Sequence, residues 1–400
     1  MDMKSRTQYL RVLQEKYFKA SKKEKGKIVD EYCRNTGQNR KYVIRKINSE
    51  IPEQKVRRRR RWIYDGEVIV ALVRVWEIFD FPCGQRLAPL LKEMVPRLRA
   101  LGELRCSDEV AEKLCQISSS TIDRKLRREK QRRGSFYKKG FSKNNSLLMK
   151  KIPIKLNDWD TSLIGNIQID YVEHCGSTKR GHYLNTLNAT DIGSGWWEAQ
   201  AVMGKAQEPT LDALEKMRER CPFPWEEIHP DNDSSFINAH LFNYCRREDI
   251  KFSRSRPGKK NDNCYVEQKN WTHVKKVLGY LRYDREEEKR IINDLYENEL
   301  RLYKNFFQPV MKLKEKVREG GKLHRKYHPA KTPYQRLMES QQISQEKKEE
   351  LKEIYNSLNP AELKRAIDRK LEELWELYRK KKGCSNANPY KKQSSTMVTF

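Results

Sequence analysis

Between Asn166 and Tyr280 the hydrophobic period changes from two to a helical spacing and back, and this order limits what the chain can fold into. Apolar residues alternate in NIQIDYVEH, which predicts a strand over Asn166–Glu173. A second strand is expected over about His182–Asn188, a turn at Asp191-Ile192-Gly193-Ser194-Gly195, and a third strand over Trp196–Val202. Leu211, Leu214 and Met217 then fall on one face of a helix from about Pro209 to Arg220. A short strand Glu226–His229, a helix Ala239–Glu248 and a strand Ile250–Ser253 follow, and a last helix runs to about Leu281 with Val266, Val274, Val277 and Leu278 inward. Three antiparallel strands followed by alternating helix and strand imply a mixed five-stranded sheet with helices on both faces.

Three acids fall at telling places in that frame. Asp170 closes the alternation of the first strand, Asp231 follows the fourth, and Glu267 lies just inside the last helix. Two strand ends and one helical turn are rigid supports for hard anionic ligands, the kind that hold paired Mg²⁺ ions. Acids are common on any surface, so the three carboxylates alone define no site.

The rest of the chain is basic. Lys and Arg number 84 against 55 Asp and Glu, for a formal charge of +29. A polyanionic partner follows, most simply nucleic acid. No stretch is apolar and long enough to cross a bilayer, and the start of the chain has no secretory h-region. Nine cysteines include no CxxC pair, which fits reduced thiols in a cytoplasmic, nucleoid-associated protein better than a disulfide or zinc framework.

Ahead of the core, residues 1–56 read as helices. Ser21 and Glu24 form a capping box, Ile28, Val29 and Tyr32 an apolar stripe, and Thr36-Gly37 a break. Asn39 then caps a helix carrying Arg40, Lys41 and Arg45. Helix, Gly turn and basic helix is the helix-turn-helix pattern. A basic linker at 57–65 contains Arg57, Arg58, Arg59, Arg60 and Arg61, suited to lie along phosphates. Residues 66–130 form a second helical, helix-turn-helix-like unit in which Ser118-Ser119-Ser120 caps a helix with Arg124, Lys125 and Arg128. The linker 131–155 is basic and dotted with aromatics, with Lys138 and Lys139 as phosphate contacts.

IQIDYVEHCG, HPDNDSSFIN and RPGKKNDNCYVEQKNW, with 35 residues between Asp231 and Glu267, resemble the catalytic core of retroviral integrases and bacterial insertion-sequence transposases, the D,D-35-E group with a ribonuclease-H-like fold. NFFQPVMKLKEK and KTPYQRL look like segments that follow the core in such transposases. The resemblance implies a core at 156–284 in which Asp170, Asp231 and Glu267 bind two Mg²⁺ ions, with Mn²⁺ able to substitute. It implies hydrolysis of a phosphodiester at an element end and transfer of the freed 3′-hydroxyl to target DNA. Lys259, Lys260, Lys269, Lys275 and Lys276 would contact phosphates, and Asn263 and Asn270 could position DNA. The family's second motif carries Gly and an acid where this chain has Asp233 and Ser235, and Asp233 is expected to take the left-handed turn. The retroviral zinc module is absent, since no histidine precedes His174.

After the core, 285–382 is expected to be mostly helical with a small β-module near Lys322–Tyr327, and 383–400 to be a flexible tail. Ile367, Leu371, Leu374 and Tyr378 are spaced for a partner helix, and assembly on two DNA ends calls for a homo-oligomer. Two alternatives stand beside transposition: a catalytically idle DNA-binding regulator of a mobile element, and a generic ribonuclease-H-type nuclease.

Overall fold

The computed structural model describes residues 1–50, 63–64, 66–132, 159–233, 235–256, 260–319 and 322–382. The chain divides into two compact units, Met1–Trp62 and Ile63–Phe400.

The first unit holds α1 (Met3–Lys19), α2 (Lys22–Thr36) and α3 (Arg40–Ile47). Their caps are local. Asp2 accepts from the Ser5 amide at 2.7 Å, the Ser21 amide donates to Glu24 Oε2 at 2.9 Å, and Asn39 accepts from the Lys41 amide at 2.9 Å. Gly37 ends α2 with φ of 68°, where a side chain would strain the turn. Leu10, Leu13, Val29, Tyr32, Val43 and Ile47 bury together, and this small core sets the three helices against one another.

The second unit begins with α4 (Gly66–Ile78), α5 (Gly84–Ala100), α6 (Asp108–Gln116), α7 (Ser119–Lys125) and α8 (Arg127–Arg132). Gly84 starts α5 against α7, where a Cβ would stand 2.1 Å from the Ser119 carbonyl oxygen. Its amide donates to Asp123 Oδ1 at 3.0 Å. The buried side chains of α4–α7 are continuous with the main core, so the 66–130 helices have no hydrophobic body of their own.

The sheet comprises β1 (Asn166–Glu173), β2 (Leu184–Asp191), β3 (Trp197–Met203), β4 (Glu227–Pro230) and β5 (Lys251–Phe252) in the order β3-β2-β1-β4-β5. β1, β2 and β3 pair antiparallel, whereas β4 runs parallel to β1 and β5 parallel to β4. This is the expected mixed sheet, with α9 (Gln207–Arg220) and α10 (Ala239–Arg247) as its crossovers. β2 sits later than the sequence suggests. Asp191 both ends the strand and opens the turn: its carbonyl accepts from the Gly195 amide at 2.9 Å, and its buried carboxylate accepts from the Gly165 amide at 2.9 Å and the Ser194 hydroxyl at 2.6 Å.

The last core helix is not the continuous one expected. A 3₁₀ turn (Lys260–Asn263) leads into α11 (Cys264–Lys269), then a π-helical turn over Asn270–Lys275, then α12 (Lys276–Leu278), which stops at Gly279. The wide turn falls where Asn270 faces β1 and where His273 and Val274 are buried.

Beyond it, α13 (Glu286–Glu297) and α14 (Glu299–Phe307) break at Asn298, and β6 (Leu313–Glu319) with β7 (Lys322–Tyr327) forms the β-module as a hairpin. α15 (Pro333–Glu339), α16 (Gln345–Ser357) and α17 (Pro360–Lys382) complete the unit, the charged helix of 345–381 being split before Pro360. Ile367, Leu371 and Leu374 of α17 bury within the chain's own core, packing with α13 and α14, so this stripe faces no partner helix. Arg97 of α5 donates to the Leu358 carbonyl at 2.7 Å and stacks 4.3 Å from the Tyr355 ring, tying α5 to the segment before α17. The tail at 383–400 lies outside the described residues.

Candidate active site

The register of β1 on β4 creates the site. Ile169 pairs with Pro230, so Asp170 and Asp231 follow one step later on neighbouring parallel strands. α11 is fastened to the same strand by a side chain that sequence reading passed over. The Gln168 amide is fully buried; its nitrogen donates to the Asp262 carbonyl at 2.8 Å, and its oxygen accepts from the Tyr265 and Val266 amides at 3.1 and 3.2 Å. Two residues ahead of Asp170, Gln168 thereby holds the helix start just before Glu267. A polar residue within a buried alternation was the signal for it.

Asp170 is half-buried and held from two sides. The Tyr171 amide donates to Oδ1 at 2.7 Å and Asn270 Nδ2 donates to Oδ2 at 2.6 Å. Behind Asn270 stands a relay of donors, in which Trp197 Nε1 donates to Asn188 Oδ1 and Asn188 Nδ2 donates to Asn270 Oδ1. Every bond in the relay points its positive end toward Asp170, which polarises the chain of amides onto that carboxylate.

Asp231 accepts from the Asp233 amide at 2.9 Å. The loop after it corrects an expectation: among the described residues the non-glycine positive-φ positions are Asp80, Phe81 and Asp249, and Asp233 is not one of them. Asp233 instead folds an Asx-type turn, accepting from the Ser235 amide at 3.0 Å and its hydroxyl at 2.8 Å, so Gly is not needed there. Lys205 reaches Asp233 at 3.0 Å and Glu173 at 3.3 Å and binds this loop to the end of β1. Asn232 donates to the Ser255 carbonyl at 2.9 Å, and Arg256 clamps Asp262 at 2.8 and 2.9 Å, closing the turn ahead of α11. His229 is structural, between the Ser253 and Ser255 hydroxyls at 2.8 and 3.2 Å.

The electrostatics are those of crowded acids. Burial and then the nearby charge of Asp231 push the Asp170 carboxyl up to about 8, with Glu267 adding in the same direction. Asp231 is pushed up to about 6, first by burial, with the charges of Asp233 and Glu267 also raising it. Glu267 is exposed on α11. Among the described residues no three His, Cys, Asp or Glu side chains stand close enough to hold a metal ion as they lie. Asp170 and Asp231 present carboxylate oxygens of the kind that suit Mg²⁺, and Glu267 would have to turn inward to join them. Both amide atoms of Asn263, just before α11, are buried without a hydrogen-bond partner.

The basic residues separate by position. Arg40, Lys41 and Arg45 are exposed on α3, with Arg40 paired to Asp30 and Arg45 5.8 Å from the Tyr42 ring. Arg124 and Arg128 are exposed, whereas Lys125 is half-buried and donates to the Tyr64 carbonyl at 2.7 Å. Lys276 pairs with Asp80 at 2.9 Å and Lys275 lies 5.9 Å from the Tyr280 ring. Lys269 leaves the phosphate-contacting set. It is buried, with Nζ 3.3 Å from His273 Nε2 one turn on. Arg57–Arg61, Lys138, Lys139 and Lys259 lie outside the described residues, as does the side chain of Lys260.

Solved structures similar to the chain are retroviral integrase catalytic cores. Two are HTLV-2 integrase core domains in complex with magnesium. The dimeric form is 16% identical with a TM-score of 0.28, covering 37% of this chain and 91% of that one. The trimeric form is 18% identical with a TM-score of 0.28, covering 36% and 88%. The BIV integrase core is 16% identical with a TM-score of 0.29, covering 43% and 91%. No protein-family model matches. The chain belongs to the same family as the uncharacterized protein y4rM of Sinorhizobium fredii (strain NBRC 101917 / NGR234), to which it is 35% identical over 339 residues, 84% of this chain and 96% of that protein. Among the described residues no helix is long and apolar enough to cross a membrane.

Proposed function

We propose that this protein is a DDE-type DNA transposase or integrase: it binds the ends of a mobile element and joins them to target DNA by divalent-metal-dependent phosphodiester chemistry. One observation carries the reading. Ile169 pairs with Pro230 on parallel strands, so Asp170 and Asp231 each come one residue later, and the helix bearing Glu267 is pinned to the strand of Asp170 through Gln168. Both aspartates are raised, first by burial and then by neighbouring acids, and this supports a dication as their natural partner, since a bound positive charge offsets the repulsion.

Asp170 and Asp231 would hold Mg²⁺, with Glu267 completing the set. Held there, two such ions would supply activation of an attacking oxygen and stabilisation of a leaving one. The chain's own part is orientation. Asn270 and the Tyr171 amide fix the Asp170 carboxylate, and the Asp233 amide fixes that of Asp231. The exposed arginines of α3 and of Arg124 and Arg128, in a chain of charge +29, supply sequence-independent attraction for DNA. Loading of two element ends would require at least two protomers.

A second reading has its own support: Glu267 stands exposed and the three acids are not drawn into one cluster, as an idle regulator would allow. The test is strand transfer with labelled element-end DNA, a plasmid target and Mg²⁺ or Mn²⁺. The expected result is joined product that requires metal and disappears in Glu267→Gln. Tight end binding without nicking or joining in either metal supports the regulator, and cleavage that persists in Glu267→Gln removes the proposed triad.

A further inference from the structure

At the other end of β1 from Asp170 lies a cavity of about 340 Å³, within the roughly 300–1,000 Å³ typical of small-molecule sites. It opens between the loop Thr161–Ile164, the turn Gly193–Ser194, the segment His328–Lys331 and α15. Three basic residues line it, Lys312, Lys331 and Arg336, with Glu339 as the acid.

Two cations in it are held by carbonyls alone. Lys312 Nζ donates to the Thr161 carbonyl at 3.1 Å and to that of Gly193. Arg336 donates to the carbonyls of Ser194 at 3.3 Å, Lys331 at 3.0 Å and Val310. An ammonium has three hydrogens and a guanidinium five, so each keeps donors to spare. The carboxylates around them are committed elsewhere. Glu339 takes Lys331 at 2.7 Å on both oxygens, and Asp191 holds the Gly165 and Ser194 amides. Burial and then the charge of Arg336 push the Lys312 ammonium down to about 8, against the opposing charge of Asp191. Half-buried cations that no carboxylate hydrogen-bonds are costly, and a ligand that supplies an anion is stabilised by both.

We infer that this pocket binds a phosphate group, held between Lys312 and Arg336, as a ligand site separate from the Asp170–Asp231 centre. The group comes either from a DNA strand or from a free nucleotide, which share this chemistry. The inference does not depend on the proposed catalysis.

The test uses the full chain carrying Glu267→Gln, in metal-free buffer, so that the acidic site plays no part. Binding of inorganic phosphate, of adenosine monophosphate and of a short duplex is measured by titration calorimetry, with chloride at matched ionic strength as the control. Two further variants are compared. Lys312→Gln removes one cation but also releases two carbonyls and could loosen the fold. His328→Glu leaves the fold alone, because His328 is exposed and its backbone amide, not its ring, bonds to the Lys312 carbonyl at 2.9 Å; it places a carboxylate at the pocket. Expected is phosphate binding that His328→Glu weakens by about tenfold or more with the melting temperature unchanged. If the duplex competes with phosphate and itself weakens in His328→Glu, the source is a strand; if only the mononucleotide competes, it is a free nucleotide. Phosphate binding identical in His328→Glu and its parent, or no binding beyond chloride, overturns the inference.

Discussion

Asn270 stands between the sheet and the carboxylate it orients, and its effect can be separated from folding. Asn270→Ala frees Asp170 Oδ2 and ends the relay from Trp197 and Asn188. Strand transfer should fall by roughly 10–100-fold with circular dichroism and melting temperature little changed, the loss being one of positioning. Wild-type turnover in this variant would show that Asp170 needs no such support. Asp170 itself gives a pH signature. Its carboxyl titrates near 8 in the fold, through burial and then Asp231, and near 4 in the unfolded chain. Between those values the native state keeps a proton that the unfolded chain has shed, so metal-free stability should fall as pH rises from about 4 to 8. Asp170→Asn should flatten that fall, gaining on the order of 1–3 kcal/mol at pH 8. Melting curves in chelator at pH 5 and 8 check it, and parallel curves for the two proteins would remove Asp170 as the source. Asp231 and Glu267 were legible because strand and helix signals mark where β4 ends and α11 begins, whereas Asp170, expected at a strand end, lies within β1. The inward or outward turn of Glu267 was not legible, since an exposed rotamer leaves no trace in spacing.

At the level of elements, the join between β1 and α11 decides whether the site exists. Gln168→Leu would keep the volume and the alternation but leave the Tyr265 and Val266 amides and the Asp262 carbonyl buried without their partner. A loss of about 2–4 kcal/mol in denaturant unfolding is expected, with activity reduced further as Glu267 drifts. A loss within about 0.5 kcal/mol would mean α11 is held by its apolar face alone. Sequence pattern found β1 at its full extent because apolar and polar residues alternate from Asn166 to Tyr171 and turn signals bound the run. It missed the π turn at Asn270–Lys275, since the inward positions of Val266, Val274 and Leu278 satisfy a regular helix as well as a widened one. It also gave Lys269 to phosphate because charge alone argues for solvent. The burial of that lysine beside His273 comes from tertiary packing that no local pattern encodes.

The whole molecule divides its work between a compact three-helix unit and a larger unit in which the helices after Trp62 share the core of the sheet. Hydrophobic patterning showed two helical segments before the sheet, yet it could not show that only the first closes its own core. That depends on Tyr303 donating to the Ile78 carbonyl at 2.6 Å and Gln308 to the Phe79 carbonyl at 3.0 Å, contacts with residues more than 200 positions away. If α3 supplies the phosphate contacts of the first unit, replacing Arg40, Lys41 and Arg45 together by Ala removes up to three of them. Each contact contributes about 0.9 to the slope of log affinity against log salt, so the slope should fall by roughly 2–3. Arg40 already pairs with exposed Asp30, which places the expected loss at the lower end. Fluorescence anisotropy on a labelled duplex across a salt series measures the slope directly. An unchanged slope with weakened binding would mean that these side chains shape the unit without touching phosphate, and DNA attraction would then rest on the second unit's own exposed arginines, Arg124 and Arg128 foremost.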